Sequence, residues 1–406
     1  MIKSFLEWKP IRQLRVSFLS LMDSGVTCKL PCDIIEEILS RLDAKSLMRC
    51  SCVCKSWLSL IGRPSFKIRH LEHQTPCVLL HLDTPLENLG RFSFRSSESF
   101  DQIWSLICPI DMFNSSSWCL VGSQNGVICL YRYSDCSVHL WNPAINKHKK
   151  LPLSPPPPAD SFPIHGFVYE PLTDDFKVVV VASCRRYNCV NFFKRGNQVG
   201  VYSFRSDSWK TMEMPDIFSD PSVITHPHRM NPVVVYGSIH WMFQYRRKSQ
   251  AVLLESIGIV AFDPRTEIFK FINSPPFTEP DDVKIMCNWS GCLSLVTSDG
   301  HGLIEIWVMK KYCVLDSWTK HFSFDLVKHL PSAQGSRFHP IGLSDNGNLL
   351  LNLMYVQAND NVELGFDFFH ALTFYHPKSN EVKHLCPGTS ITVRQFTTYV
   401  ESIFLS

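Results

Sequence analysis

Sulfur and imidazole are the reactive groups whose spacing in this sequence is short enough to suggest chemistry. Cys50, Cys52 and Cys54 form a C-x-C-x-C run. A structural zinc site needs four ligands converging tetrahedrally. On a helix the outer two cysteines share a face and the middle one points away, which suits packing better. Lys55 beside Cys54 could lower a thiol pKa, but Cys54 continues an apolar helical face with Leu47, Cys50 and Val53, so packing is the expected role. No C-x-x-C pair is answered by a second one. His226 and His228 flank Pro227 in a proline-rich loop, and alternate positions there do not make a ligand pair. His240 and His370 lie in strand-like runs, as core or rim residues. There is no G-x-S-x-G elbow, H-E-x-x-H, P-loop or dinucleotide fingerprint. The sequence therefore predicts no catalytic residue, no metal and no cofactor, and points to a chain that acts by binding.

The bulk properties fit that reading. The 406 residues are 45% hydrophobic and 19% charged, the balance of a globular protein large enough for a small module and a large domain. A formal charge of +3 gives no global field to recruit nucleic acid. Runs such as Arg246-Arg247-Lys248 and Lys310-Lys311 read as solvated loops. No apolar run reaches the roughly 18 residues of a membrane span. Sixteen cysteines sit in apolar stretches such as Val127-Ile128-Cys129-Leu130, which implies a reducing compartment, cytoplasm and/or nucleus. Residues 1–27 mix Lys3, Lys9, Arg12 and Arg15 with apolar residues and mimic a transit peptide. A start at Met22 is the competing explanation, and a flexible lead is the expectation.

Two kinds of element must then position any binding surface. Residues 28–70 read as a helical module. Pro31 to Asp33 should open a first helix carrying Ile34, Ile35, Ile38, Leu39 and Leu42 at helical spacing. Asp43 should cap a second, with Leu47, Cys50, Val53 and Cys54 on one face. Lys55 to Leu60, including Trp57, should add a further turn or two, stopped by Gly62 and Pro64. So small a unit has difficulty building a core, so its apolar faces suggest a partner.

From residue 76 to 406 the chain turns into short strands broken by Gly, Asn-Pro, Asp-Pro and Ser-Asp turns. Gly126–Leu130 leads to Val138–Pro143, Gly237–Trp241 to Ile259–Pro264, and Gly347–Leu351 to Leu372–Pro377. Each pair is followed by a third apolar stretch. Val199–Phe204 running into Trp209, and Ile304–Val308 running on to Trp318, form a second flavour. The markers Pro143, Trp209, Pro264, Trp318 and Pro377 are 54 to 66 residues apart, slightly above the roughly 50 residues of a kelch blade. Strand-like Val78–Leu82 and Arg91–Phe94 could join Thr397–Phe404 in one more blade and so close a ring. About six blades are expected, with five or seven as the alternatives. The prolines of Leu153–Pro158 read as a stiff connector.

The opening Leu30-Pro31, the pairs Ile34-Ile35 and Ile38-Leu39, Leu42, and the closing Cys52-Val53-Cys54-Lys55 with Trp57 resemble an F-box of the plant type. Asp43 stands where that family usually has proline, and Cys50-Ser51 replace a larger pair. With the region behind it, the chain resembles plant F-box proteins that carry an F-box-associated, kelch-like propeller. The expected fold is a small all-α F-box module followed by an all-β propeller. The resemblance implies docking on the Skp-type adaptor of a cullin scaffold, with the propeller holding an unknown target for ubiquitination. Leu30, Pro31, Ile34, Ile35, Leu39, Leu42, Leu47, Val53, Cys54 and Trp57 are then the candidate adaptor residues. Loop-borne aromatics, Tyr187, Tyr245 and Trp289, are the candidates for target contact. The alternatives are a helical cap that only packs on the propeller, and a propeller scaffold without ligase assembly.

Overall fold

In the computed structural model the described residues are 31–83, 90–107, 118–155, 164–181, 198–217, 223–227, 232–249, 252–275, 283–299, 301–329, 337–343, 347–358, 366–376, 379, 381–384 and 392–405. They fall into two compact units, one ending at His73 and the other starting at Gln74.

The first unit has four described helices: α1 Cys32–Ser40, α2 Ala44–Cys50, α3 Lys55–Ile61 and α4 Pro64–Glu72. Pro31 is the N-cap of α1, one position before the first helical residue. Asp43 caps α2 as its type predicts, its carboxylate accepting from the Ser46 amide at 2.9 Å and the Ser46 hydroxyl at 2.7 Å. The expected stop falls at Gly62, and only the role given to Pro64 is corrected. Gly62 does end α3, but Pro64 is the first residue of α4, where its fixed φ and missing N–H cost nothing. α4 supplies the core that three helices alone lack. Phe66 is fully buried with Leu39, Leu47 and Ile61, and α4 lies against α1 and α3.

The second unit is a ring of six sheets. The first blade is β4 Trp118–Gln124, β5 Val127–Arg132, β6 Ser137–Asn142 and β7 Lys147–Lys150. The second is β8 Ile164–Glu170, β9 Asp175–Val181, β10 Gln198–Ser203 and β11 Ser208–Glu213. In the third, β12 Val223–Pro227 and β13 Val233–Val235 both pair with β14 Ser238–Ser249, followed by β15 Val252–Asp263 and β16 Ile268–Asn273. The fourth is β17 Val283–Trp289, β18 Cys292–Ser298, β19 Leu303–Met309 and β20 Trp318–Asp325. The fifth is β21 Arg337–Leu343, β22 Leu349–Ala358, β23 Phe366–His376 and β24 Glu381–His384. The sixth takes β1 Cys77–Asp83, β2 Gly90–Ser96 and β3 Gln102–Ile107 from the front of the unit and β25 Thr392–Tyr399 from its end. Antiparallel pairing of β25 with β1 closes the ring and leaves no open edge there.

The sequence repeat corresponds to the second, third and fourth strands of the first, third and fifth blades, and to the third and fourth strands of the second and fourth blades. Gly126, Gly237 and Gly347 sit in the turns before those strands at φ of 73°, 71° and 82°, where a side chain would be strained. The first strands of the first five blades carry no turn marker that recurs at the same place from blade to blade, and they are the ones that line the middle, with β4 beside β8 and β25 and β17 beside β21. Apolar side chains interleave from blade to blade, as where Val179 and Val201 of the second meet Trp241 and Phe243 of the third. Indole N–H groups tie the seams: Trp241 donates to the His165 carbonyl at 2.8 Å and Trp318 to that of Asn273 at 3.0 Å. Trp209 donates to the Pro152 carbonyl at 2.9 Å, anchoring the connector that precedes the proline run.

Candidate functional site

The helical unit sorts the candidate residues by burial. Leu39 and Leu47 are inside and hold the helices together. Ile35, Leu42 and Trp57 are half-buried, and Pro31 and Cys54 are exposed. Ile34 is 47% exposed and Val53 56%. Leu30 lies outside the described residues. Leu58, which sequence reading placed in the third helix without assigning it to the surface, is 57% exposed. It stands one turn after Cys54, whose carbonyl accepts its amide at 3.0 Å, so Cys54 and Leu58 share one face of α3.

Polar contacts brace the other side of α1. The Arg69 guanidinium on α4 reaches Glu37 at 2.6 Å and Glu36 at 3.3 Å, and Arg41 also pairs with Glu37. The Arg41 hydrogen bond, ahead of the charges of Arg41 and Arg69, holds the Glu37 carboxyl below its usual pKa. His70 is buried and donates from Nε2 to the Leu42 carbonyl at 2.9 Å, satisfying an acceptor just past the end of α1. Burial pushes its pKa down, so the ring stays neutral.

The cysteine run is corrected. α2 ends at Cys50, Cys52 falls in the following turn, and Cys54 is the N-cap of α3, not a residue of the α2 face. Cys50 is buried and its thiol is pushed up to about 11 by burial. The Cys54 thiol is held below the usual range by the Ser56 hydroxyl 3.0 Å away, then by the Trp57 and Ser56 backbone. Lys55 is not the cause. Among the described residues no group of three His, Cys, Asp or Glu could hold a metal ion, and every cysteine is a free thiol.

In the propeller the expected loop aromatics move. Trp289 ends β17 and is half-buried, its ring 4.9 Å from that of His321 and 5.6 Å from Phe322. Tyr245 lies within β14, and Tyr187 falls outside the described residues. His226 is in β12 and not in a loop, and His228 lies outside the described residues. His240 is buried, with Nε2 2.9 Å from the Tyr312 hydroxyl and Nδ1 3.2 Å from the Val233 carbonyl. Sequence reading missed His139 and His148, 2.8 Å apart across β6 and β7, because a nine-residue spacing carries no signal until a hairpin closes it.

Two family models match the chain: the F-box domain over residues 28–69 and the F-box associated beta propeller domain over residues 88–384. The chain is an F-box protein of the F-box-associated propeller family. Among relatives in Arabidopsis thaliana, it is 28% identical to F-box protein At3g07870 over 375 residues, 88% of this chain and 87% of that one. It is 28% identical to F-box protein CPR1 over 344 residues, 80% and 79% of the two chains. F-box/kelch-repeat protein At3g23880 is 25% identical over 389 residues, 87% and 91% of the two.

This domain pair supports a substrate-receptor role in an SCF-type ubiquitin ligase in general, and an F-box implies binding of a Skp-type adaptor. On this F-box the apolar side chains that the four helices leave outside their own core are Ile34, Val53 and Leu58, flanked by Pro31, Cys54 and half-buried Ile35 and Trp57. Exposed large apolar side chains are where a partner surface would gain most by covering the module.

Proposed function

We propose that this F-box docks on a Skp-type adaptor, and through it a cullin scaffold, by Pro31, Ile34, Val53, Cys54 and Leu58, while the propeller holds a target protein for ubiquitination. The chain itself makes and breaks no covalent bond. It raises the effective concentration of target lysines near a conjugating enzyme carried by the rest of the complex. Free buried thiols such as Cys129 suit the reducing cytoplasm or nucleus, where such a complex would act.

The observation that carries the docking proposal is the exposure of Ile34, Val53 and Leu58 on a module whose interior is already filled by Leu39, Leu47, Ile61 and Phe66. Truncating Leu39 would therefore test folding as much as docking. The informative variant is Val53→Lys with Leu58→Lys, which places two charges on the outer face and none in the core. With purified adaptor and cullin scaffold, we expect the full chain to be captured and the double variant to bind at least about tenfold more weakly. Circular dichroism should show unchanged helix content. Equal capture of the variant would remove this face from the interface. No capture of the folded wild-type chain would leave a propeller scaffold without ligase assembly as the better reading.

A further inference from the structure

We propose that the seam between the third and fourth blades carries a target-docking ledge for an extended acidic protein segment anchored by one aromatic or branched aliphatic side chain. This rests on the reading of the propeller as the target-holding half. The ledge is built from Tyr236, in the turn between β13 and β14, and from the Lys310–Ser317 loop between β19 and β20. Tyr236 is 58% exposed, and its ring lies 4.9 Å from that of Tyr312, tilted by 50°. Val314 and Leu315 on the same loop are also exposed. Large apolar side chains on two adjacent blades thus face solvent together.

The loop that presents them is internally bonded. The Lys310 amide donates to the Ser317 carbonyl at 3.1 Å and the Val314 amide to the Lys311 carbonyl at 3.1 Å. The Ser317 hydroxyl lies 2.7 Å from the Lys311 carbonyl and 2.6 Å from that of Val314. Below it, Tyr312 packs with buried Met309 and Trp318 and meets His240. Apolar groups held out on a fixed backbone lose little freedom when a partner covers them.

Tyr236 adds an independent observation. Its φ is 51°, followed by 71° at Gly237, the two-residue hairpin turn with both central residues left-handed. Turns of this kind favour Asn, Asp or Gly at the first position. The matching turns of the first and fourth blades have Asn125 and Ser290 there, each followed by a glycine. A bulky aromatic in that conformation is unfavourable locally, and strain of this sort collects at functional positions. Here it carries the ring to the surface over Tyr312.

Charge selects the occupant. Lys310 and Lys311 are exposed beside the apolar side chains, and among the described residues neither makes an ion pair, although Asp316 lies in the same loop. Two uncompensated ammonium groups next to an aromatic shelf fit a segment that places acids beside its apolar anchor.

The test is selection of a phage-displayed random peptide library on the full chain, followed by fluorescence anisotropy with the enriched peptides. Enriched sequences should combine acidic residues with an aromatic or branched aliphatic one. Tyr236→Asn should weaken them at least about tenfold while the thermal midpoint holds or rises, since asparagine suits this turn. Leu315→Ser should weaken them as well, and Lys310→Glu with Lys311→Glu should abolish the salt dependence of binding along with most of the affinity. Failure to enrich any peptide, enrichment of sequences without acids, or equal binding by Tyr236→Asn would overturn the proposal. Adaptor capture by the same preparations should be unchanged in all these variants. Loss of adaptor capture with peptide binding intact would strike the ligase reading and leave the ledge standing.

Discussion

His165 lies on β8 inside the ring, its imidazole 3.8 Å from the Tyr131 ring, and burial pushes its pKa down to about 3. Burial likewise brings His240 down to about 4, and burial followed by the neighbouring His148 does the same for His139. All three are neutral when folded, whereas in the unfolded chain they take up a proton near pH 6.5. The unfolded state therefore binds more protons below that pH, so stability is present above about 6.5 and falls as the solution is acidified, by up to about 1.4 kcal/mol per pH unit for each group. The loss levels off below the folded pKa values. Denaturant midpoints measured between about pH 7 and about pH 5 should fall steeply, and His165→Phe should reduce the slope by about one proton. The same scale separates Leu39 from Leu58. Leu39→Ala should destabilise the helical unit by about 2–5 kcal/mol, and Leu58→Ala by less than about 0.5 kcal/mol, in chemical melts followed by circular dichroism. The sequence shows both as apolar residues at helical spacing. What it does not show is that Leu39 is buried with α4 packed on its helix, while Leu58 is left more than half exposed among the described residues.

Helix starts were more legible than helix ends. Asp43 announces its cap by residue type, because a short carboxylate before a run of good helix formers has few other local uses. Asp43→Ala should cost about 1 kcal/mol in the urea melt of the helical unit, since it strips acceptors from both the Ser46 amide and its hydroxyl. Pro64 is ambiguous in the sequence because proline fits after one helix and at the first turn of the next equally well, and only Phe66, buried in the helical unit, decides between them. Residue types place Cys50 and Cys54 on one face of a single helix because nothing between them signals the break that the turn introduces. In the propeller, the blade count is legible from the spacing of Pro143, Trp209, Pro264, Trp318 and Pro377, and closure from the strand-like runs Val78–Leu82 and Thr397–Phe404 at the two ends of the domain, which pair as β1 and β25. Trp289 looked loop-borne for the opposite reason: the sequence places it just before a Ser-Gly turn, and only the paired strand shows that it belongs to the ladder, opposite Cys292.

Closure of the ring is the property that belongs to the whole molecule, and more than strand pairing secures it. Thr397–Phe404 was expected to be one strand, but β25 stops at Tyr399 and the chain leaves the sheet to cross onto the first two blades. The Asn142 amide donates to the Ser402 carbonyl at 3.0 Å and the Phe404 carbonyl at 2.7 Å, while its oxygen accepts from the Ala144 amide at 3.0 Å. The Ser402 hydroxyl donates to the Asn125 carbonyl at 2.5 Å. Ile403 and Phe404 are buried, the latter with its ring 5.3 Å from Tyr169 and 5.7 Å from Phe176 of the second blade. The tail thus bonds the first blade to the sixth and reaches past it to the second. Removing residues 401–406 should leave β25 paired with β1 yet cost about 3–6 kcal/mol, the burial of two large apolar side chains. Asn142→Ala should cost about 1–3 kcal/mol by leaving buried carbonyls without donors. Both changes in one chain should cost little more than the truncation alone, because the amide's two partners leave with the tail. Urea midpoints of the four proteins measure this directly. Full additivity would mean that Asn142 stabilises the first blade by itself, and that closure rests on the β25–β1 ladder and not on the tail beyond it.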